Sequence, residues 1–302
     1  MNLSVFIYIA FNLVFLNLIQ IQNDLFDSML TGMCLFAILT LGISHGAVDN
    51  LLYGAKGKKQ NIRFIINYIL IAIGFGVIWW FVPNLAFILF ILFSAYHFGQ
   101  SQFVDLTPDK GIGGFLLDFL WGLSLISGLI YLNAPEASAF AEEYFKSLSS
   151  FILMIEYSGY LTAGFLTVTL ILLIKNRLNG FISNNELLRE LYLIALIGIS
   201  FKLFDLLLGF TLYFIILHSL KVLRQEFSYF KIKSKLKNVF QFMKLLLPFT
   251  LISILGIILI FIIVSFFERP DLIPFLGIVL ISCITIPHAF VMEIFYENKF
   301  HG

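Results

Sequence analysis

Charge is what this sequence has least of. Asp, Glu, Lys and Arg make up 12% of its 302 residues, against roughly 25% in an ordinary soluble domain. Nineteen basic and eighteen acidic residues nearly cancel to a net charge of +1, which says little by itself, since in a membrane protein the distribution of charge along the chain carries the information; no nucleic-acid partner is expected. Cysteine is almost as scarce. Cys34 and Cys283 are the only two and each lies inside an apolar run, which excludes a disulfide framework, reads as small buried hydrophobes, and leaves the redox compartment open. No internal repeat at a fixed period and no Pro/Gly/Ser linker interrupts the chain, so residues 1–302 read as one transmembrane domain. The opening "MNLSVFIYIAFNLVFLNLIQ" has neither a basic leader nor a small-residue cleavage site, and is expected to remain as a first membrane span.

What the chain does have is apolar length. Hydrophobic residues reach 60%, aromatics 17% with 36 Phe, and the mean hydropathy is +0.97. Such a chain is a membrane protein, and the expected fold is all-α: a polytopic helical bundle. A bilayer core about 30 Å thick takes about 20 apolar residues per helical span. On that basis ten spans are expected, at 3–20, 29–48, 62–82, 85–103, 112–132, 151–174, 188–203, 206–222, 242–266 and 271–293, with eight or nine still compatible. The pair around "ISFKLFDLLLGF" is the weakest, because the connection is short and carries Lys202 and Asp205; a bent hairpin or a re-entrant pair fits as well.

If ten spans alternate, the positive-inside rule requires Lys and Arg to favour one set of connections. Every basic residue except Lys146, Lys202 and Arg269 falls in one set, and the acidic stretch "PEASAFAEEYFK" falls in the other. Both termini are then cytoplasmic. The basic run "KIKSKLK" at 231–237 serves as an orientation signal on this reading.

Placed on this topology, the histidines single themselves out. His301 belongs to a polar tail and reads as solvated. His45, His97, His218 and His288 each lie in the later part of a span running from outside to inside, so all four imidazoles come to a similar depth. A single histidine near a helix end is ordinarily an interfacial hydrogen-bonding residue. Four at one depth point to a site, because ionisable groups in membrane helices are costly and face the bundle interior. Neutral imidazole is a metal ligand that brings no charge into hydrocarbon. By donor type iron, zinc or copper would suit, a bis-histidine haem is a rival, and a proton relay in a transporter is a reading from another class.

The neighbours have the makings of an orienting shell. In "GISHGAVDN", His45 and Asp49 stand four apart, and on a helix the carboxylate could take the proton of the non-ligating ring nitrogen. "SAYHFGQSQ" follows His97 with Gly99, Gln100 and Ser101, "YFIILHSL" sets Ser219 beside His218, and "TIPHAF" puts Pro287 before His288, where it loosens the helix. Tyr96 and Tyr213 lie near two of the histidines, with packing as the plainer role. Asp118 falls at a similar depth and is a candidate partner, whereas Glu156, Asp205 and Glu293 read as interfacial.

"GISHGAVD", "SAYHFGQ", "YFIILHS" and "IPH", in that order, resemble the Brp/Blh family of membrane beta-carotene dioxygenases over residues 40 to 292, leaving the first span outside. The resemblance implies an iron(II) enzyme of the cell (inner) membrane that uses O2 to cleave the central double bond of beta-carotene into two molecules of retinal, typically for a rhodopsin. It implies His45, His97 and His218 as iron ligands; His288 matches the proline–histidine motif and is offered as a fourth, with Asp49, Gln100 and Ser219 behind them. Two positions depart from the pattern. Val222 stands where a second histidine follows the YFxxxHS motif, and Gln102 where the HFG motif ends in aspartate. Valine cannot ligate, so three histidines with open positions for O2, or a chain that only binds carotenoid or retinal, stand beside the four-histidine reading.

Overall fold

The computed structural model describes residues 3–20, 23–42, 46–53, 58–106, 111–233, 238–266, 268 and 272–301. Among these, all regular structure is helical: α1 (Leu3–Leu18), α2 (Asp24–Ala37), α3 (Asp49–Leu52), α4 (Lys58–Phe81), α5 (Pro83–Phe103), α6 (Ile112–Leu132), α7 (Ala134–Tyr144), α8 (Ser149–Leu178), α9 (Asn184–Leu203), α10 (Leu206–Leu212), α11 (Leu220–Lys233), α12 (Val239–Phe266) and α13 (Ile273–His301). Helices are what lipid demands, since each backbone N–H and C=O is satisfied within its own segment. The expected all-α membrane fold is what the chain adopts.

Seven stretches of the described residues are long and apolar enough to cross a bilayer: Asp24–Gly42, Lys59–Phe81, Pro83–Phe103, Ile112–Leu132, Ser149–Leu178, Leu206–Lys233 and Pro274–Glu297. Two of the other three expected spans differ for physical reasons. α1 has 16 residues, about 24 Å at 1.5 Å per residue, short of the bilayer core. α9 is long enough at 20 residues, but its first turns carry Glu186, Arg189 and Glu190 and its last Lys202. The third, α12, runs unbroken for 28 residues around Pro248 and is long enough to span; among its described residues Val239–Pro248 is a shorter apolar helix.

The uncertain 188–222 stretch resolves into two helices. α9 starts on a capping box of Ser183 and Glu186 and stops at Leu203. Asp205, expected at an interface, caps the next helix: its Oδ1 accepts from the N–H of Leu208 at 2.7 Å. Glu136 of α7 accepts from the N–H of Leu206 at 2.7 Å, so two orphan donors of α10 are satisfied. From there the chain stays helical to Lys233 through a π-helical segment, Tyr213–Ser219, that contains His218. A second π-helical segment, Ile38–Gly42, lies within the second expected span. Such wide turns inside α-helices recur at functional sites.

The chain groups into two compact units interleaved along the sequence. The first comprises 1–42, 95–139 and 154–223; the second comprises 43–94, 140–153 and 224–302. The core of the first is apolar and aromatic, with Tyr8, Phe103, Leu117, Trp121, Leu208 and Tyr213 nearly or fully inaccessible. Its α5 and α6 touch backbone to backbone. A Cβ on Gly99 would lie 1.7 Å from the Asp118 carbonyl oxygen, and one on Gly122 would lie 1.8 Å from that of Ala95, so only glycine allows this approach. In the second unit α4 packs along α13: the indole N–H of Trp79 donates to Ser282 Oγ at 2.7 Å, and Phe275 meets the same indole edge-on at 5.6 Å.

Candidate functional site

The first unit brings two of the four histidines together. His97, on the segment of α5 locked against α6, and His218, on the π-helical turn, have ring centres 5.0 Å apart with planes at 80°. Each is 2% exposed. The π turn matters locally because it re-aims one residue per turn without breaking the helix. Phe214 stacks on the His218 ring at 5.5 Å and 11°, while Phe98 meets it edge-on at 4.9 Å, so the imidazole plane is fixed by aromatic contacts on two sides. Gly42 makes room for this: a Cβ there would stand 2.4 Å from the Phe214 ring.

The second unit holds His288. It is 3% exposed, as is Asp49, and its Nδ1 lies 2.9 Å from Asp49 Oδ1 and 3.1 Å from Oδ2. A carboxylate in this position can accept the Nδ1 proton, which places the lone pair of a neutral ring on Nε2, the arrangement that orients metal-bound histidines. Burial pushes the Asp49 carboxyl up, and the His288 imidazole and Tyr68 hydroxyl beside it pull it back down. Spacing pairs Asp49 with His45, which lies outside the described residues. Asp49 itself begins the short helix α3, and its observed partner comes from α13. Pro287 sits within α13, which remains helical through it.

The remaining expected residues divide. Gln100 is fully buried, and its amide donates to the Tyr96 hydroxyl at 3.4 Å. Ser219 is equally buried, but its hydroxyl makes no hydrogen bond among the described residues; the serine that meets His218 is Ser101, 3.0 Å from Nδ1. Tyr213 packs edge-on against Phe98 at 5.9 Å, the plainer of its two roles. Asp118 is 1% exposed, and its backbone carbonyl closes on Gly99. Glu156 is exposed and Glu293 half-buried.

Two buried acids carry no signal in the sequence. Glu190, 1% exposed, accepts from Gln102 Nε2 at 2.6 Å and from Arg189 at 3.1 and 3.2 Å. The Lys221 ammonium donates to the Gln102 carbonyl at 2.7 Å. Gln102, the departure from the family pattern, thus serves as the donor that a carboxylate could not be. Glu226 is 0% exposed, and neither of its carboxylate oxygens is hydrogen-bonded among the described residues. Its place in "KVLRQEFSYFK" reads as a polar interface, so its neighbours do not mark it as interior.

The donor set suits a metal in part. Two imidazoles bound through nitrogen at about 2.1 Å, with about 100° between the bonds, have ring centres about 5 Å apart, which is the spacing of His97 and His218. Among the described residues no three His, Cys, Asp or Glu side chains come together as a complete ligand set.

These features define a class: a helical membrane protein that buries paired imidazoles inside apolar units. Comparison narrows the class to a family. The model of the beta-carotene 15,15'-dioxygenase family matches residues 36–296, and the chain belongs to that family. It is also 31% identical over 88 residues to a beta-carotene 15,15'-dioxygenase of an uncultured marine bacterium, 66A03; the match takes in 27% of this chain and 32% of that relative. The chain therefore aligns with about a third of the relative's length. No solved structure matches.

Proposed function

We propose that this chain cleaves beta-carotene at its central double bond with O2, giving two molecules of retinal at an iron(II) centre. The observation that carries the reading is the buried His97–His218 pair, contributed by two of the motifs inside the family match. In the proposed reaction the central C=C bond breaks and each half receives one oxygen atom as an aldehyde, so the polyene and O2 are consumed without a further reductant. The iron's contribution when bound is to activate O2 next to the alkene.

The protein's own part is ligation, orientation and exclusion of water. His97 and His218 are the proposed ligands from the first unit; His45 and His288 are proposed ligands on the strength of the resemblance and the motifs alone. Phe98 and Phe214 hold the His218 ring plane, Asp49 holds the His288 ring, and near-complete burial keeps water from a reactive site. The substrate fits the medium, since a long apolar polyene partitions into the bilayer, and a protein with many Phe side chains can hold it by apolar contact. The proposed location is the inner membrane, and retinal would pass to a rhodopsin-type acceptor. Val222 favours one second reading, a family member that binds carotenoid or retinal without cleaving it. Expression in beta-carotene-producing cells tests the choice: the enzyme turns pigment into retinal, whereas the binder leaves the pigment intact and co-purifies with it.

A further inference from the structure

We propose that Ser101, which stands on α5 four residues after His97, is a positioning residue that sets the tautomer of His218 and so makes its Nε2 the metal-binding nitrogen. This rests on the iron reading for its consequence, but not for its geometry.

Ser101 is 3% exposed and His218 is 2% exposed, so the contact between them is made away from water. A serine hydroxyl has one proton to give and two lone pairs. The Ser101 hydroxyl lies 2.8 Å from the Phe98 carbonyl oxygen, to which it donates, the back-bond serine commonly makes inside a helix. Its proton is thereby committed. The second contact, at 3.0 Å to His218 Nδ1, must then run the other way, with the ring N–H donating to Oγ. In a neutral imidazole the lone pair is left on Nε2.

The same hydroxyl links the two histidines mechanically. His97 and Ser101 are one helical turn apart, so both are set by the backbone of α5 that Gly99 locks to α6. Ser101 then reaches across to the π-helical turn and fixes the ring that faces His97. His288 receives the same treatment from a carboxylate. A neutral hydroxyl withdraws the Nδ1 proton less than a carboxylate does, so His218 is the weaker electron donor of the two. Ser219, adjacent in sequence to His218, does not supply this contact.

The test uses the full-length protein in lipid nanodiscs with 15N-labelled histidine, His218 being assigned by its loss in His218→Asn. In the metal-free protein the ring nitrogens of His218 are expected to report Nδ1–H with unprotonated Nε2. Ser101→Ala is expected to shift His218 towards the opposite tautomer or a mixture, while Ser101→Thr, which keeps the hydroxyl, restores the wild-type pattern. Iron(II) titrated into the three proteins should bind Ser101→Ala about 10- to 100-fold more weakly than wild type, with Ser101→Thr close to wild type. A wild-type His218 protonated on Nε2, or a Ser101→Ala protein with unchanged tautomer and unchanged iron affinity, overturns the proposal. If wild type binds no iron while its tautomer is the expected one and Ser101→Ala loses it, the iron reading fails and the role of Ser101 in setting the ring stands.

Discussion

Nδ1 of His288 lies 2.9 Å from Oδ1 of Asp49, across 239 positions of sequence, and both side chains are almost wholly buried. With the carboxylate accepting the proton of one ring nitrogen, the lone pair of the neutral ring is on the other, the nitrogen that would donate to a metal. Asp49→Asn is nearly isosteric but lacks the charge, and its amide can turn a donor towards Nδ1. It is expected to lower iron affinity or turnover about 10- to 100-fold, measured by iron titration and by retinal yield at equal protein. An Asp49→Asn protein as active as wild type removes Asp49 from the site.

The backbone contact between α5 and α6 predicts a sharp difference among glycines. Gly99→Ala and Gly122→Ala each drive a methyl to within 2 Å of a backbone carbonyl oxygen, which no rotamer relieves, so both should be recovered in low yield and lose activity. Gly113→Ala, on the same α6 with nothing within 4 Å, should behave as wild type. Detergent-solubilised yield and size-exclusion profile check this. Equal behaviour of the three would show that the helices do not touch as described.

The pairing of Gln102 with Glu190 predicts that restoring the family's aspartate harms this chain. Gln102→Asp removes the donor held at 2.6 Å and sets two carboxylates together, at a cost of about 1–3 kcal/mol for the buried group left short of its bond. Thermal unfolding should fall in Gln102→Asp and recover in Gln102→Asp combined with Glu190→Gln, which returns a donor to the pair. Non-recovery would mean that the two side chains do not act together.

Ligand assignment separates His218 from Val222 on one helix. His218→Ala should lose iron, whereas Val222→Ala, which removes only apolar bulk from a fully buried position, should keep its iron and lose about 1 kcal/mol of stability. Metal analysis of the two purified variants decides it.

Much of this was legible in the sequence, because apolar length and the sparse histidines act over whole spans. Seven spans follow from length and hydropathy alone, and His97, His218 and His288 are all interior as expected. Pairing between distant segments was not legible. Asp49 reads as the partner of His45, which lies outside the described residues, and its partner among those described, His288 on α13, is 239 positions away. Ser219 adjoins His218, yet Ser101 makes the contact. Helix-face reasoning assumes unbroken α-geometry, and the wide turns at Ile38–Gly42 and Tyr213–Ser219 rotate the residues beyond them onto other faces. Glu190 and Glu226 sit among charged neighbours that read as solvated, and only the fold shows them enclosed.

The central claim is that this chain converts beta-carotene to retinal at histidine-held iron, and the pigment of beta-carotene-producing cells tests it most directly. With the chain expressed in aerobic cells, carotene should disappear and retinal accumulate at about two molecules per carotene lost, as the cleavage of one double bond by O2 requires. His45→Ala, His97→Ala, His218→Ala and His288→Ala should each keep the pigment, while His301→Ala should bleach like wild type. Persistent pigment and no retinal, with the wild-type protein demonstrably in the membrane, would contradict the account.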